Sequence, residues 1–259
     1  MNKIILSLLG VAILISCNDS SKEKVAFRDL NNNQRLDVYE DSTQSIEARI
    51  DDLLSQMTLE EKAGLMFNAI SGVGIGERIQ RADSLISKVN INHLDMPGMA
   101  SAEQVLEHNN KLQKIAENTR LGIPITFYSD PRHGIRKNEM TGENRFHSWW
   151  PSELGFGAIG DEALVKEFGD IERQEYLALG IRLALHPMAD LATEPRWFRT
   201  YTTFGEDANL SAKLTKAYIE GFQGEQLGKH SVLCQTKHFP GAGPQKDGMD
   251  AHFPSGKEQ

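Results

Sequence analysis

The sequence predicts an α/β fold built around a parallel sheet. Helical stretches of moderate length alternate with short apolar stretches, and no Asn-Gly hairpin signal interrupts the alternation. A hydrophobic content of 39% in 259 residues is enough to bury a large core. Several apolar stretches end in polar clusters, as strands do where their carboxyl ends form a binding site.

Two helices open the globular part of the chain. Apolar residues recur at helical spacing from Ile46 to Met57. Thr58 then precedes a second helical pattern and has Glu61 three residues later, which is the signature of a capping box. We therefore expect the first helix to end near Met57 and the next to begin directly after Thr58.

Three later helices alternate with three apolar strands. A helix is predicted from about Ser101 to Asn118, and it leads into the strand IPITFYSD, which ends in Asp130. A second helix opens after Asp161, an N-cap residue, and is followed by GIRLALHPMADL. A third, which includes Leu210, is followed by SVLCQTKHF. Helices between short strands in this way indicate parallel βα units.

Charge and cysteine content exclude some classes of function. The formal net charge is -8 with a pI near 5.5, and no basic stripe is present, so nucleic acid is not an expected partner. The chain has two cysteines, Cys17 and Cys234, which lie in very different contexts and offer no disulfide framework.

The N-terminus predicts export from a bacterial cell. Lys3 precedes an apolar run that is too short for a comfortable membrane span, and residues 1–17 fit a signal peptide. The segment Leu14-Ile15-Ser16-Cys17 resembles the bacterial lipobox, which implies acylation of Cys17 and a lipid anchor in the cell envelope. The alternative is an ordinary signal peptide with a chance cysteine. Residues 18–44 are predicted to form a tether between the lipid-anchored Cys17 and the folded part of the chain.

Part of this tether has the spacing of a calcium-binding EF-hand loop. Oxygen-bearing side chains occupy loop positions 1, 3, 5, 9 and 12, namely Asp29, Asn31, Asn33, Asp37 and Glu40. One position departs from the pattern, because Gln34 stands where glycine usually makes the sharp turn. The alternative is a polar turn that binds no metal.

Polar clusters follow the three strands and are expected to meet at one mouth. The clusters are SDPRHG, DLATEPRWFR and KHFPGAG. Together they offer carboxylates, cations and an imidazole, with Trp149, Trp150 and Trp197 available for stacking, a mixture that suits a polyhydroxylated ligand. No GxxxxGK, HExxH or GxSxG motif accompanies them. Singly, each charge also has a structural explanation, such as an ion pair of Arg196 or Arg199 with Glu206 or Asp207.

Four segments, taken in order, resemble the landmarks of glycoside hydrolase family three, the β-glucosidase group. They are EARIDDLLSQMTLEEKAGLM, SDPRHG, PMADLATEPRWFRTYTTFGED and KHFPGAGP. The resemblance runs from about Ser45 to Gln259. It implies an N-terminal (β/α)8 TIM-barrel-like domain, incomplete in this chain, and retaining hydrolysis of terminal β-linked glucose from oligosaccharides. No cofactor is required for that reaction.

The resemblance also implies the residues that contact the sugar in the -1 subsite: Asp130, Arg199, Lys237 and His238. Arg199 is preferred over Arg196 because it lies seven residues before the Glu206-Asp207 pair, which leaves Arg196 as a supporting residue. The loop departs from the family at two places, since Phe198 replaces a usual glycine and Thr202 a usual glutamate.

A retaining glycosidase needs two carboxyl groups roughly 5 Å apart. In the family, the nucleophile lies in a later segment that resembles SDW, so we expect it beyond Gln259 and assign no catalytic residue within the chain. The alternative within the family is a β-N-acetylglucosaminidase that uses an Asp250/His252 dyad, although EPRWFR and FGED favour the glucosidase branch. A third alternative is a non-catalytic, lipid-anchored glycan-binding protein.

Lys237 and His238 pose a geometric problem. Successive side chains of a regular strand point to opposite faces, so both cannot reach one sugar from β geometry. We therefore expect a non-standard peptide bond either at Lys237-His238 or at Phe239-Pro240. Glycines at 241 and 243 would let the chain turn away without a Cβ clash.

Overall fold

The computed structural model describes residues 27–70, 77–95, 101–130, 133–134, 137–138, 142–143, 147–239 and 241–253. Every structural statement below concerns these ranges. The predictions for residues 1–17, including acylation of Cys17, lie outside them, as does Gln259. Within the described part of the chain, no helix combines the length and the apolar character needed to cross a membrane.

Seven helices and seven strands are assigned in the described ranges. The helices are α1 (Ile46–Gln56), α2 (Leu59–Leu65), α3 (Glu77–Val89), α4 (Ala102–Glu117), α5 (Glu153–Ile159), α6 (Glu162–Ala178) and α7 (Ala208–Gln223). The strands are β1 (Asn68–Ile70), β2 (His93–Asp95), β3 (Thr126–Ser129), β4 (Lys137–Asn138), β5 (Gly142–Glu143), β6 (Ile181–Ala184) and β7 (Leu233–Cys234).

The main sheet is parallel, and its strands follow one another in chain order. The spatial order is β1-β2-β3-β6-β7, and each neighbouring pair is parallel. Strands β4 and β5 form a separate antiparallel ribbon. A run of consecutive parallel strands with a helix between neighbours is the pattern of a (β/α)8 barrel, so the prediction of an incomplete TIM-barrel-like domain is confirmed.

The predicted helix starts are confirmed by their caps. Thr58 accepts from the backbone N–H of Glu61, whose side chain accepts from the N–H of Thr58 in return. Asp161 accepts from the first-turn N–H groups of α6. Ser101 caps α4 in the same way, through Gln104. These side chains satisfy amide groups that would otherwise have no partner within the helix.

The residues from 27 to 44 pack on the barrel instead of standing apart from it. The Tyr39 hydroxyl donates to the carbonyl of Leu121 over 3.3 Å, and its ring is buried. The backbone of Leu30 lies so close to Gly122 that a Cβ there would come within 2.3 Å of the Leu30 carbonyl oxygen. Arg28 also pairs with Glu117 at 2.5 Å. The segment therefore contacts the turn between α4 and β3.

Candidate active site

The first and third polar clusters meet directly. Asp130 follows β3 and Lys237 follows β7, and Lys237 Nζ lies 2.5 Å from Asp130 Oδ1. Parallel strands bring their carboxyl ends to the same edge of the sheet, which explains how residues 107 positions apart become partners. Both side chains keep some exposure, 16% for Lys237 and 32% for Asp130. A ligand at the mouth can therefore reach both charges.

The second cluster contributes a buried carboxylate that holds the backbone after Lys237. Asp190 accepts from His238 Nδ1 at 2.7 Å and from the backbone N–H groups of His238 and Ala242 at 3.2 and 2.8 Å. Burial by itself raises the pKa of Asp190, but these donors outweigh burial and lower the pKa below its usual value. Asp190 is therefore a charged anchor for the imidazole of His238.

The Lys237-His238 peptide bond is cis, which confirms the expectation of a non-standard bond at this place. The backbone around it is paired with the segment after β6. Lys237 donates its N–H to the carbonyl of Pro187 at 3.0 Å, and its own carbonyl accepts from Ala189 at 2.7 Å. Lys237 and His238 thus lie against the segment that also carries Asp190.

Arg199 is linked to the same site through His252. Its Nη1 atom is 3.2 Å from His252 Nδ1 and 3.9 Å from Asp250 Oδ2. The rings of His252 and His238 are 5.2 Å apart between centroids. Asp250 is buried and accepts from Trp197 Nε1 at 2.7 Å, so its position is fixed from behind. The proposed sugar contacts are therefore brought together from all three clusters.

Arg196 lies elsewhere. It forms a two-pronged ion pair with Glu194, at 3.0 and 2.8 Å, and approaches Asp247 at 3.4 Å. Its side chain is 63% exposed. None of these partners contacts Arg199, Lys237 or His238 in the described structure, so the geometry favours Arg199 as the arginine of the site.

The tryptophans differ in their access to a ligand. Trp197 is only 1% exposed, so the expectation that its face is available for stacking is wrong, and burial of its ring behind the site is the reason. Trp150 packs against Phe156 and Phe168. Trp149 is 53% exposed.

A buried polar network behind the site was not predicted. The Tyr176 hydroxyl lies 2.9 Å from the backbone carbonyl of Asp130 and 3.2 Å from His186 Nε2. The other ring nitrogen of His186 lies 2.7 Å from the hydroxyl of Tyr218, which donates to Glu172 at 3.0 Å. Burial lowers the pKa of His186 to about 4, so its ring is neutral at physiological pH.

The network ends at an imidazole between two carboxylates. His133 Nδ1 lies 2.5 Å from Glu172 Oε1, and His133 Nε2 lies 2.5 Å from Glu175 Oε2. Burial disfavours the charged ring, but the two carboxylates outweigh burial and raise the pKa of His133 to about 9. A signal was present in the sequence, because Glu172 falls at helical spacing on the apolar face of α6, between Phe168 and Tyr176.

The residues from 29 to 40 form a loop with the predicted turn. Gln34 has a φ of 63°, so it adopts the left-handed conformation for which glycine is usual. Its N–H donates to Asp29 Oδ2 at 2.8 Å. Asp37 accepts from the side-chain amides of Asn31 and Asn33, each at 2.7 Å. The five oxygen-bearing residues thus lie in one loop. Within it, the side-chain amides of Asn31 and Asn33 donate to Asp37.

With this geometry established, comparison with known proteins identifies the family. Residues 45–257 match the N-terminal domain of glycosyl hydrolase family 3. The chain belongs to glycosyl hydrolase family 3. The resemblance noted in the sequence is therefore confirmed.

Individual relatives support the same family assignment. The chain is 46% identical over 230 residues to beta-glucosidase C of Emericella nidulans, a match that covers 86% of this chain and 37% of the relative. It is 42% identical over 245 residues to a periplasmic beta-glucosidase/beta-xylosidase of Dickeya chrysanthemi, covering 90% of this chain and 37% of that protein. The chain thus spans well under half the length of these relatives.

A solved family 3 structure shares the fold. It is a beta-glucosidase involved in saponin metabolism from intestinal bacteria, which superposes with a TM-score of 0.62 at 32% identity. The superposition covers 78% of this chain and 25% of that one. The parallel sheet described above is therefore the arrangement of a family 3 N-terminal domain.

Proposed function

We propose that the protein acts in retaining, exo-acting β-glycoside hydrolysis and removes terminal β-linked glucose from oligosaccharides. In this proposal Asp130, Lys237, His238 and Arg199 bind the sugar in the -1 subsite. Carboxylate oxygens accept from sugar hydroxyls, while the lysine, imidazole and guanidinium groups donate to sugar oxygens. The proposal assigns binding, and not bond cleavage, to these side chains.

The observation that carries the proposal is the convergence of the three clusters. The 2.5 Å pair of Lys237 and Asp130 lies next to His238, which lies 5.2 Å from the ring that contacts Arg199. Charged donors and acceptors placed in advance of binding lose little freedom when the sugar arrives. The beta-glucosidase names of the relatives support glucose as the sugar.

The test is Lys237→Ala in the full gene product, with an aryl β-glucoside as substrate. We expect kcat/KM to fall by roughly a hundredfold or more, because a charged contact made in the transition state is lost. Lys229→Ala is the matched control, since Lys229 is exposed in the loop before β7 and should leave kcat/KM unchanged. A loss of less than about tenfold, or ~1.4 kcal/mol, contradicts the sugar-binding role.

The Asp250/His252 pair is formed, but its surroundings favour a supporting role. His252 Nδ1 lies 2.5 Å from Asp250 Oδ1, while the other oxygen of Asp250 accepts from the buried Trp197. The pair thereby orients Arg199. Faster cleavage of an aryl β-N-acetylglucosaminide than of the β-glucoside would favour the dyad mechanism. Binding without turnover of either substrate would favour the glycan-binding protein.

Two further proposals concern the N-terminal part. We propose that Asp29, Asn31, Asn33, Asp37 and Glu40 bind a structural calcium ion. The left-handed Gln34 supports this, since it supplies the turn that calcium loops require. We also propose a lipid anchor at Cys17 and a place in the bacterial cell envelope. The periplasmic relative from Dickeya chrysanthemi supports a periplasmic location, which is the coarser part of this proposal.

A further inference from the structure

A second group of ligand-type side chains lies behind the sugar site. His133, His147 and Glu175 each place one nitrogen or oxygen atom within 4.8 Å of the other two. The side chains of both histidines are fully buried, whereas that of Glu175 is 29% exposed. An ion can therefore be held among buried imidazoles and still reach solvent past the carboxylate.

The distances suit one small cation. His133 Nε2 and His147 Nδ1 lie 2.5 and 3.6 Å from the same oxygen, Glu175 Oε2. Bonds of about 2.0–2.1 Å in a tetrahedral zinc site place neighbouring ligand atoms about 3.3 Å apart. The two observed distances lie on either side of that value. Shifts on the order of 1 Å would therefore bring all three atoms to one ion.

The two rings approach the carboxylate from different directions. Their centroids are 4.6 Å apart, and their planes meet at 62°. The rings are therefore not stacked, and each can direct a nitrogen toward a shared point. Ser148 donates its backbone N–H to both oxygens of Glu175, at 3.2 and 3.0 Å, which fixes the carboxylate from the other side.

His133 also lies beside a carboxylate of the kind that usually partners a metal-bound histidine. Its Nδ1 atom lies 2.5 Å from Glu172 Oε1. Glu172 is fully buried and is fixed by the hydroxyl of Tyr218 at 3.0 Å. A histidine ligand generally donates its second N–H to such a carboxylate, which sets the tautomer and strengthens the metal bond. With an ion bound in place of the Nε2 proton, this arrangement would leave the lone pair of Nε2 for the ion beside Glu175.

The charge of the group also suits a dication. Glu172 and Glu175 bring two negative charges close to two imidazoles, and the side chain of Glu172 is 0% exposed. A buried carboxylate is costly unless it is paired. A single proton on His133 neutralises one of the two charges, whereas one divalent ion between neutral imidazoles neutralises both.

We propose that His133, His147 and Glu175 bind one divalent transition-metal ion, with zinc as the expected ion. Imidazole nitrogens favour zinc over calcium or magnesium, which prefer oxygen ligands. The ion would join the segment after β3, the segment before α5 and helix α6. Through Glu172, Tyr218, His186 and Tyr176 the same contacts continue to the backbone of Asp130. The role proposed is structural support of the sugar site.

Direct metal binding tests the proposal without any activity measurement. The purified protein is dialysed with millimolar calcium, which occupies oxygen-only sites, and zinc is then titrated against a chromophoric chelator. We expect one zinc ion per chain by elemental analysis. X-ray absorption of the zinc form should show imidazole and carboxylate ligands, and this measurement needs no variant. No stoichiometric zinc, or a zinc shell without imidazole, overturns the proposal.

Variants identify the ligands. His147→Ala should weaken zinc binding at least tenfold, and His147→Gln, which retains more of the side-chain volume, should do the same if the alanine variant folds poorly. Glu172→Gln keeps all three ligands and should weaken binding by about 10- to 100-fold. His230→Ala is the matched control, because His230 is exposed on a loop, and it should bind zinc as the wild type does. Equal affinity in His147→Ala means that the group is an ion pair only.

Discussion

At the scale of single residues, the charged groups of the sugar site depend on partners that are buried beneath them. Lys237 and Arg199 keep contact with solvent at 16% and 17% of their side-chain surface, whereas Asp190 and Asp250 are almost fully buried. In the proposed site the exposed groups would meet the ligand, while buried Asp190 holds His238 and buried Asp250 lies beside Arg199. Loss of either kind is therefore expected to reduce binding, but for different reasons.

Arg199 and Arg196 provide a comparison between two nearby arginines. Arg199→Ala should lower kcat/KM for an aryl β-glucoside by roughly a hundredfold, because it removes a charged donor that approaches His252 and Asp250. Arg196→Ala removes an exposed ion pair with Glu194, which is worth at most about 1 kcal/mol, and should leave kcat/KM within a few fold. Steady-state kinetics of both variants measure the difference. A larger loss of kcat/KM in Arg196→Ala than in Arg199→Ala would mean that Arg196, and not Arg199, binds the sugar.

Asp190→Asn tests the anchor of His238. The amide has one acceptor oxygen where the carboxylate has two, so it cannot accept from His238 and Ala242 in the present geometry. A displaced imidazole should lower kcat/KM by up to about a hundredfold. Asp161→Asn is the matched control, because asparagine caps a helix as well as aspartate does. Wild-type kinetics in Asp190→Asn would show that His238 does not need the anchor.

The sequence reached part of the site and missed the rest for a physical reason. Asp130, Arg199, Lys237 and His238 lie directly after strands or in strand-end loops, where a parallel fold directs side chains to one mouth. Asp190, Glu172 and His133 act through contacts with residues far apart in the chain, which no local spacing reveals. Glu172 was signalled by charge on an apolar helix face, whereas Asp190 and His133 lay within two of the strand-end clusters but were assigned no role.

At the scale of elements, strong caps and long apolar periodicity predicted helices α1, α2, α4, α6 and α7. Helices α3 and α5, strands β1 and β2, and the β4–β5 ribbon were missed. Strands β1 and β2 have three residues each, too few to show an alternating pattern. Strand β2 pairs with β3 and β1 pairs with β2, so both are recognisable only through the sheet as a whole.

Helices α6 and α7 pack closely against each other at Gly169 and Gly221. A Cβ added at Gly221 would lie 2.4 Å from the carbonyl oxygen of Lys166 and 2.8 Å from Gly169 Cα. Gly221→Ala should therefore lower the free energy of unfolding by about 1–3 kcal/mol, as overpacking usually does. Denaturant unfolding measures this. Gly228→Ala is the control, since nothing lies within 4 Å of a Cβ there, and equal stability of the two variants would contradict the close packing.

At the scale of the whole molecule, the residues from 27 to 44 contact helix α1 and the turn before β3. Tyr39 donates its N–H to the carboxylate of Asp52 in α1 and its hydroxyl to the carbonyl of Leu121. Arg49 Nε donates to the carbonyl of Tyr39 at 3.0 Å. The loop that precedes Tyr39 is thus attached to two separate parts of the fold, so an ion that orders the loop also stabilises those attachments.

Calcium should therefore raise the thermal stability of the protein. At a calcium concentration a hundredfold above Kd, binding to the native state alone adds about 2.7 kcal/mol, which raises Tm by several degrees. Asp37→Ala removes the acceptor that Asn31 and Asn33 share and should abolish this rise. Asp51→Asn, an exposed acid of α1, should respond to calcium as the wild type does. Equal Tm values for the wild type with calcium and with chelator would show that the loop is a polar turn, held by its own hydrogen bonds.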